Sequence, residues 1–215
     1  MSSELFDIAV KYLEPMQPEL DPVMKEIKAY GIETFVPIVS DEIGLFLKLI
    51  TSLRKPANIL EIGCGISYST HWFLKANSNA HVTAIDFNID RIAISEKYLK
   101  KSGLLDRVTL VHADGLEFFD QTTEKFDVIF QDSTKKGYAG MIEKCYEQLE
   151  SFGLFVADNI FFNQLVLGSA PHPINKNQKG IVKMREFNQL MSQHPGFNTS
   201  FLSLGDGLMI AEKKN

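Results

Sequence analysis

The spacing of apolar and polar positions changes character near residue 55. Before that point the intervals are helical: Pro18–Tyr30 carries spaced apolar residues, and Asp41–Leu53 sets Ile43, Phe46, Leu47, Ile50 and Leu53 along one side. Ser40 stands where an N-cap belongs, and Asp41 and Glu42 follow in the first turn, where carboxylates meet the positive end of a helix. From Asn58 onward, short apolar runs predict strands at Asn58–Ile62, His81–Asp86, Val108–His112, Val128–Gln131 and Leu154–Ala157. Amphipathic stretches between them predict helices at Ser67–Lys75, Ile89–Ser102, Ala139–Leu149 and Ile181–Ser192. Strand and helix in alternation imply a mostly parallel sheet with right-handed crossovers and helices on both faces. The end breaks the rule, because Phe197–Leu204 and Leu208–Glu212, joined through Gly205-Asp206-Gly207, read as a hairpin that adds antiparallel strands.

Composition narrows the picture. A chain of 215 residues with 45% hydrophobic content is sized for one globular domain, 1–215, with residues 1–55 as a helical extension within it. The first residues mix Glu4, Asp7, Lys11 and Glu14 with apolar ones, unlike a secretory signal, and no apolar run approaches the ~18 residues of a membrane span. The expectation is a cytoplasmic protein with no membrane partner, its two cysteines, Cys64 and Cys145, being reduced thiols. A net charge of −5 argues against a general nucleic-acid coat. One stretch is locally basic, since no acid occurs between Asp158 and Glu186 while Lys176, Lys179, Lys183 and Arg185 do.

Ligands of such sheets bind beyond the carboxyl ends of the strands. Those ends carry Glu61 with Gly63 and Gly65, then Asp86, Asp114, Asp132, and Asp158 with Asn159. Each alone reads as a cap or turn residue; together, in register, they point to a site. The glycines of Glu61-Ile62-Gly63-Cys64-Gly65-Ile66-Ser67 allow a close backbone approach to a ligand. A dinucleotide site would want a third glycine where Tyr68 stands, and Glu61 would repel a pyrophosphate. A cationic ligand suits these carboxylates better, with Asp86 placed for ribose hydroxyls and Asp114 for an adenine edge.

Glu61–Thr70, Ile85-Asp86, Ala113-Asp114 and the closing hairpin resemble the class I S-adenosylmethionine methyltransferases. More narrowly, Val36–Ser40, Gln131–Lys135, Ala157-Asp158-Asn159, Arg185–Asn188 and Gly205–Leu208 resemble the metal-dependent catechol and caffeoyl-coenzyme A O-methyltransferases. The resemblance implies a Rossmann-like, seven-stranded mixed sheet and a homodimer. It implies S-adenosylmethionine held by Glu61, Gly63, Gly65, Ser69, Asp86, Asp114 and Asp132. It implies a divalent cation, Mg²⁺ before Mn²⁺ or Ca²⁺, on the hard oxygens of Asp132, Asp158 and Asn159. Lys135 falls at the family's catalytic lysine, accepting a proton from a hydroxyl made acidic by the metal. Tyr138 and Arg185 fall at positions near the substrate, each with an alternative: a packed aromatic with a wet hydroxyl, and a structural salt bridge. His71, His81, His112, His172 and His194 show no metal spacing and stay unassigned.

The acceptor hydroxyl is less well defined. Ser133 and Thr134 replace the histidine and tryptophan of animal catechol enzymes, which argues against a catechol pocket. Phe161–Lys179 is long for its place and reads as a substrate lid. Asn159–Phe162 and Val182–Asn188 most resemble the bacterial branch that includes tRNA 5-hydroxyuridine methyltransferases, which puts a wobble 5-hydroxyuridine first and a small polyphenol second. A 5-hydroxyuracil offers a hydroxyl beside a carbonyl and could chelate a metal as a catechol does. A non-catalytic binding protein on the same fold, and a nicotinamide enzyme, are the readings from other classes.

Overall fold

The computed structural model describes residues 8, 10–135, 137–168 and 178–215. Helix α1 (Pro22–Thr34) begins later than the apolar spacing predicts, because Asp21 takes the N-cap. Its carboxylate accepts from the Val23 and Met24 N–H groups, and Pro22 supplies a preset φ at the first helical position. Helix α2 (Asp41–Arg54) is capped by Ser40 as expected.

The remaining elements alternate: β1 (Asn58–Ile62), α3 (Tyr68–Ala76), β2 (His81–Asp86), α4 (Ile89–Lys101), β3 (Val108–His112), α5 (Gly115–Gln121), β4 (Phe126–Gln131), α6 (Tyr138–Gln148), β5 (Leu149–Asp158), α7 (Gln178–Gln193), β6 (Phe197–Leu202) and β7 (Leu208–Lys213). Three differ from expectation. Helix α5 went unpredicted because it is too short to show a period; the Asp114 side chain caps it through the Leu116 N–H. Strand β5 starts directly at the end of α6, and the register with β4 shifts between Phe126↔Leu149 and Val128↔Leu154. That irregular first half carries exposed Glu150 and Ser151, which hid it from an apolar pattern. Helix α7 starts at Gln178, ahead of its apolar residues.

All strands join one seven-stranded sheet in the order β3-β2-β1-β4-β5-β7-β6, parallel through β5, with β7 antiparallel to both neighbours. Central strands are apolar on both sides, as burial under two helix layers requires. In β1, Ile59 joins the core shared with Met24, Leu47, Trp72 and Leu99 of α1 to α4, whereas Leu60 and Ile62 join Phe119, Met141, Met184 and Phe187 of α5 to α7. Each such fully buried side chain stabilises the fold by about 1.5–3 kcal/mol.

Two features of this order position the site. The chain winds outward from β1 in one direction and from β4 in the other, so the ends of β1 and β4 flank the crevice where ligands enter such sheets. The pairings Ile62↔Gln131 and Gln131↔Ala157 then bring Gly63, Asp132 and Asp158 side by side just beyond the strand ends.

Candidate active site

At the end of β1 the backbone turns through positive φ at Gly63 (95°) and Gly65 (55°). Gly63 has no alternative: a Cβ there would lie 2.4 Å from the Asp132 carbonyl oxygen. Asp86 is buried and already committed to this turn. Its carboxylate accepts from Gly65 N (2.9 Å) and Asn88 N (2.9 Å), with the Arg91 guanidinium at 4.0 Å. Glu61, behind the glycines, is fully buried, and burial pushes its carboxyl up to about 7, held down in part by the Ser69 and Thr70 hydroxyls. The Thr70 hydroxyl donates to one oxygen at 2.5 Å, while Oε1 has no hydrogen-bond partner among the described residues. Next to the turn opens a cavity of about 280 Å³ lined by Ile62, Ile85, Phe87, Ala113, Leu116 and Met141, with Asp86 and Asp114 at its polar rim. Ser133 and Thr134 also line it, and a largely apolar pocket with a few polar groups suits a small organic ligand.

A larger cavity of about 530 Å³ continues past Gly63 to Asp132, Lys135, Asn159, Phe162, Asn163 and Asp206. Asp158 is 2% exposed, and its carboxylate accepts from Asn159 N at 2.6 Å. Burial raises the pKa of both Asp132 and Asp158; the nearby Asp86 charge adds to the rise at Asp132, and the Asp132 charge to that at Asp158. Lys135 is the counter-charge. Its Nζ lies 3.6 Å from Asp132 Oδ1 and donates to Asn159 Oδ1 at 2.8 Å and to the Tyr138 hydroxyl at 2.8 Å. Burial lowers the lysine pKa, with Asp132 and Asp158 pulling the other way. Two under-compensated carboxylates beside an amide oxygen form a donor set that a hard cation satisfies. Among the described residues no three His, Cys, Asp or Glu side chains cluster as a metal site, so Asn159 would have to supply the third donor.

Gly63, Gly65, Asp86, Asp132, Lys135 and Asn159 therefore meet in one cleft; Glu61 and Asp158 are buried and do not line it, and four more of the expected residues behave differently from the simplest expectation. Ser69 is buried beside Glu61 rather than lining the cleft. Asp114 spends its carboxylate on the α5 cap. Tyr138 is 0% exposed, and its hydroxyl is dry, set between Lys135 Nζ and the carbonyl oxygens of Asp158 (3.0 Å) and Gln131 (3.2 Å). It is thus a strut under Lys135. Arg185 donates to the Val166 (3.0 Å) and Gly168 (2.9 Å) carbonyls and holds the segment after β5 rather than facing the cleft. Of the expected lid, Phe161–Leu167 forms consecutive turns at the cleft wall; Pro171, His172, Pro173 and Lys176 lie outside the described residues.

Phe87 and Arg91, which also line the cleft, were not singled out from sequence; Pro37 and Asp206 stood there only within family-like motifs, and Phe162 and Asn163 only within the expected lid. Phe87 had a signal: it follows Asp86 directly, and an aromatic at a strand end is not needed for the core. A separate cavity of about 510 Å³ opens at the opposite edge of the sheet among Asn58, His81, Thr109 and Lys125. It contains none of the expected site residues and lies away from the strand ends where such folds bind ligands.

Residues 16–214 match the model of a single protein family, described as O-methyltransferase. The chain belongs to the O-methyltransferase family. It is an S-adenosylmethionine-dependent O-methyltransferase. Relatives of this O-methyltransferase include a catechol O-methyltransferase of Niastella koreensis, 24% identical over 95% of this chain and 93% of the relative. A caffeoyl-CoA O-methyltransferase of Populus kitakamiensis is 25% identical over 86% of this chain and 82% of its own length. Among solved structures, the SAH-bound methyltransferase of Podospora anserina superimposes with a TM-score of 0.88 at 24% identity, covering 100% of this chain and 97% of that one. No helix among the described residues is long and apolar enough to cross a membrane.

Proposed function

We propose that this O-methyltransferase depends on a divalent cation and methylates one hydroxyl of an acceptor bearing two adjacent oxygens. The observation that carries the reading is the convergence of Asp132, Asn159 and Lys135 in the cleft that also contains Gly63 and Asp86, with the buried Asp158 carboxylate at the end of β5 directly beside Asn159. Asp132, Asp158 and Asn159 would hold the cation, and Mg²⁺ suits three oxygen donors with room for further oxygens. Bound there, a divalent cation makes a neighbouring hydroxyl acidic enough to lose its proton near neutral pH.

Lys135 takes that proton. Its burial favours the neutral amine, and the Tyr138 hydroxyl and Asn159 amide oxygen fix where the nitrogen sits. The carboxyl ends of β1 and β2 would hold S-adenosylmethionine: the largely apolar cavity would take its adenine, Asp86 its ribose hydroxyls, and the buried Glu61 carboxyl behind the glycine turn would favour its cationic end electrostatically. The alignment of methyl donor and hydroxyl is the larger part of what such a cleft contributes.

A small acceptor with vicinal oxygens is the first reading, in keeping with the catechol and caffeoyl-CoA relatives. A wobble 5-hydroxyuridine in tRNA, expected from the sequence, presents the same pair of oxygens and is the second; the acid-free stretch between Asp158 and Glu186 favours an anionic acceptor. A homodimer and a cytoplasmic location belong to the same proposal.

The test is methyl transfer from labelled S-adenosylmethionine to a catechol and caffeoyl-thioester panel and to tRNA containing 5-hydroxyuridine, each with Mg²⁺, Mn²⁺ or chelator. Transfer to small acceptors that chelator abolishes is the expected result. Transfer to tRNA alone would exchange the order of the acceptors, and transfer indifferent to chelator would overturn the roles of Asp132, Asp158 and Asn159.

A further inference from the structure

Asp206 sits in the turn between β6 and β7, far in sequence from the catalytic strand ends, yet it lines the acceptor end of the cleft. What it touches is the segment that follows Asn159. That segment is left-handed at Asn159 (φ 56°) and again at three successive residues, Phe162 (50°), Asn163 (54°) and Gln164 (61°). Each has a Cβ that opposes this conformation, so such a run persists only where its surroundings over-determine it.

The surroundings here are Asp206 and Gly207. Of the eight backbone N–H groups from Ile160 to Leu167, all are hydrogen-bonded, and four go to these two residues. Ile160 N donates to the Gly207 carbonyl (3.1 Å) and Phe161 N to the Asp206 carbonyl (2.9 Å). The Asp206 carboxylate takes the two from the left-handed run, Asn163 N at 2.6 Å and Gln164 N at 3.1 Å. Gly207 lets the turn pack flat, since a Cβ there would come within 2.7 Å of Ile160 and Phe161 side-chain atoms. On the far side the Phe162 ring rests on Gly180 of α7, where a Cβ would lie 2.7 Å from it.

We propose that Asp206 is a positioning residue for acceptor binding. Its carboxylate clamps the left-handed turn, and the turn sets Phe162 and Asn163 as the acceptor-side wall next to Asn159 and Lys135. The inference rests on the function proposed above but concerns only this chain's own geometry. Asp206 acts on the acceptor through Phe162 and Asn163, because both carboxylate oxygens are engaged with backbone N–H groups. In Asp206→Asn one oxygen acceptor is kept and an NH₂ group is turned against a backbone N–H, so the clamp is broken with little change of shape.

The experiment compares wild type, Asp206→Asn, Gln164→Gly and the double variant. Hydrogen exchange is read over residues 160–168, S-adenosylhomocysteine binding by calorimetry, and acceptor KM and kcat separately. In Asp206→Asn, exchange over 160–168 accelerates and acceptor KM rises about tenfold, the loss expected for charge-assisted hydrogen bonds. Cofactor affinity and kcat stay within about twofold, as for a group that binds ground and transition states alike. Gln164→Gly alone is near neutral, and in the double variant it lowers the KM again, because glycine takes positive φ without strain.

Unchanged exchange, a kcat loss at unchanged KM, or no rescue by glycine would overturn the clamp. A kcat loss would instead mean that Asp206 acts electrostatically on Lys135. If no acceptor is methylated even by wild type, the functional reading has failed, and exchange still decides whether the clamp exists.

Discussion

On the β1–β2 side of the cleft, polar side chains are tied to backbone: Asp86 to the Gly65 and Asn88 N–H groups, and Asp114 to Leu116 N. On the β4–β5 side one charged side chain ties others together: Lys135 bridges Asp132, Asn159 and Tyr138, while Asp158, its carboxylate taking one backbone N–H, is buried with its pKa raised. Backbone partners hold a group still at little cost, which suits a cofactor that is bound the same way every cycle. Side chains packed against each other in a dry cleft leave charge incompletely matched, and unmatched charge is what draws in a cation or a proton. Glu61 is the exception on the first side, a buried carboxyl with a free oxygen, and so marks where that half has charge left for a ligand.

Removing charge from the second half should have the largest effect. Asp158→Ala is expected to lower methyl transfer about a thousandfold while S-adenosylhomocysteine still binds, measured by labelled transfer and calorimetry. Comparable losses of both would mean that the two halves are one unit. Lys135→Ala should lower kcat by about 10²–10⁴-fold, the range for a lost general base, with cofactor affinity preserved. A fall in cofactor affinity as large as the fall in kcat would assign Lys135 to the wrong half.

Glu61→Gln tests the exception. Its folded pKa of about 7 lies above the ordinary 4.5, so the protonated acid stabilises the fold below pH 4.5 and that contribution is lost as pH rises through 7. The stability difference between wild type and Glu61→Gln should move by about 2–3 kcal/mol in favour of the variant from pH 5 to pH 8, read by denaturant melts. Cofactor affinity should fall about tenfold. A flat stability difference would show that Glu61 is better solvated than its burial implies. The smallest effect belongs to Asp114→Ala, which should cost about 1 kcal/mol of stability as a lost N-cap. Its cofactor affinity should change little; a large change would show that the carboxylate leaves its cap to meet the adenine.

The comparison also separates what could be read in the chain from what could not. Gly63, Gly65 and Asp86 were legible because their roles follow from local position: a strand end, a tight turn, the next strand end. Asp132, Asp158 and Asn159 were legible as residues of strand ends, although their adjacency depends on β4 and β5 pairing in register. Tyr138 was placed near the substrate and turned out to be fully buried beneath Lys135, because residue spacing shows which residues share a helix but not which way a side chain packs. Arg185 was legible as a residue of an amphipathic helix, while its carbonyl partners belong to a segment that no periodicity describes. Asp206 was legible as part of the hairpin turn and of a family-like motif, but not as a residue of the cleft.

The sequence by itself determined the alternation of strands and helices, the closing hairpin and the ring of polar residues at the strand ends, because these depend on period, capping and turn chemistry within a few residues. Only the tertiary structure decided which of those polar groups are spent on backbone and which are left unmatched. It alone joined Asp206 to Asn163 and Gln164, since hydrogen bonds between distant segments follow from strand order and burial.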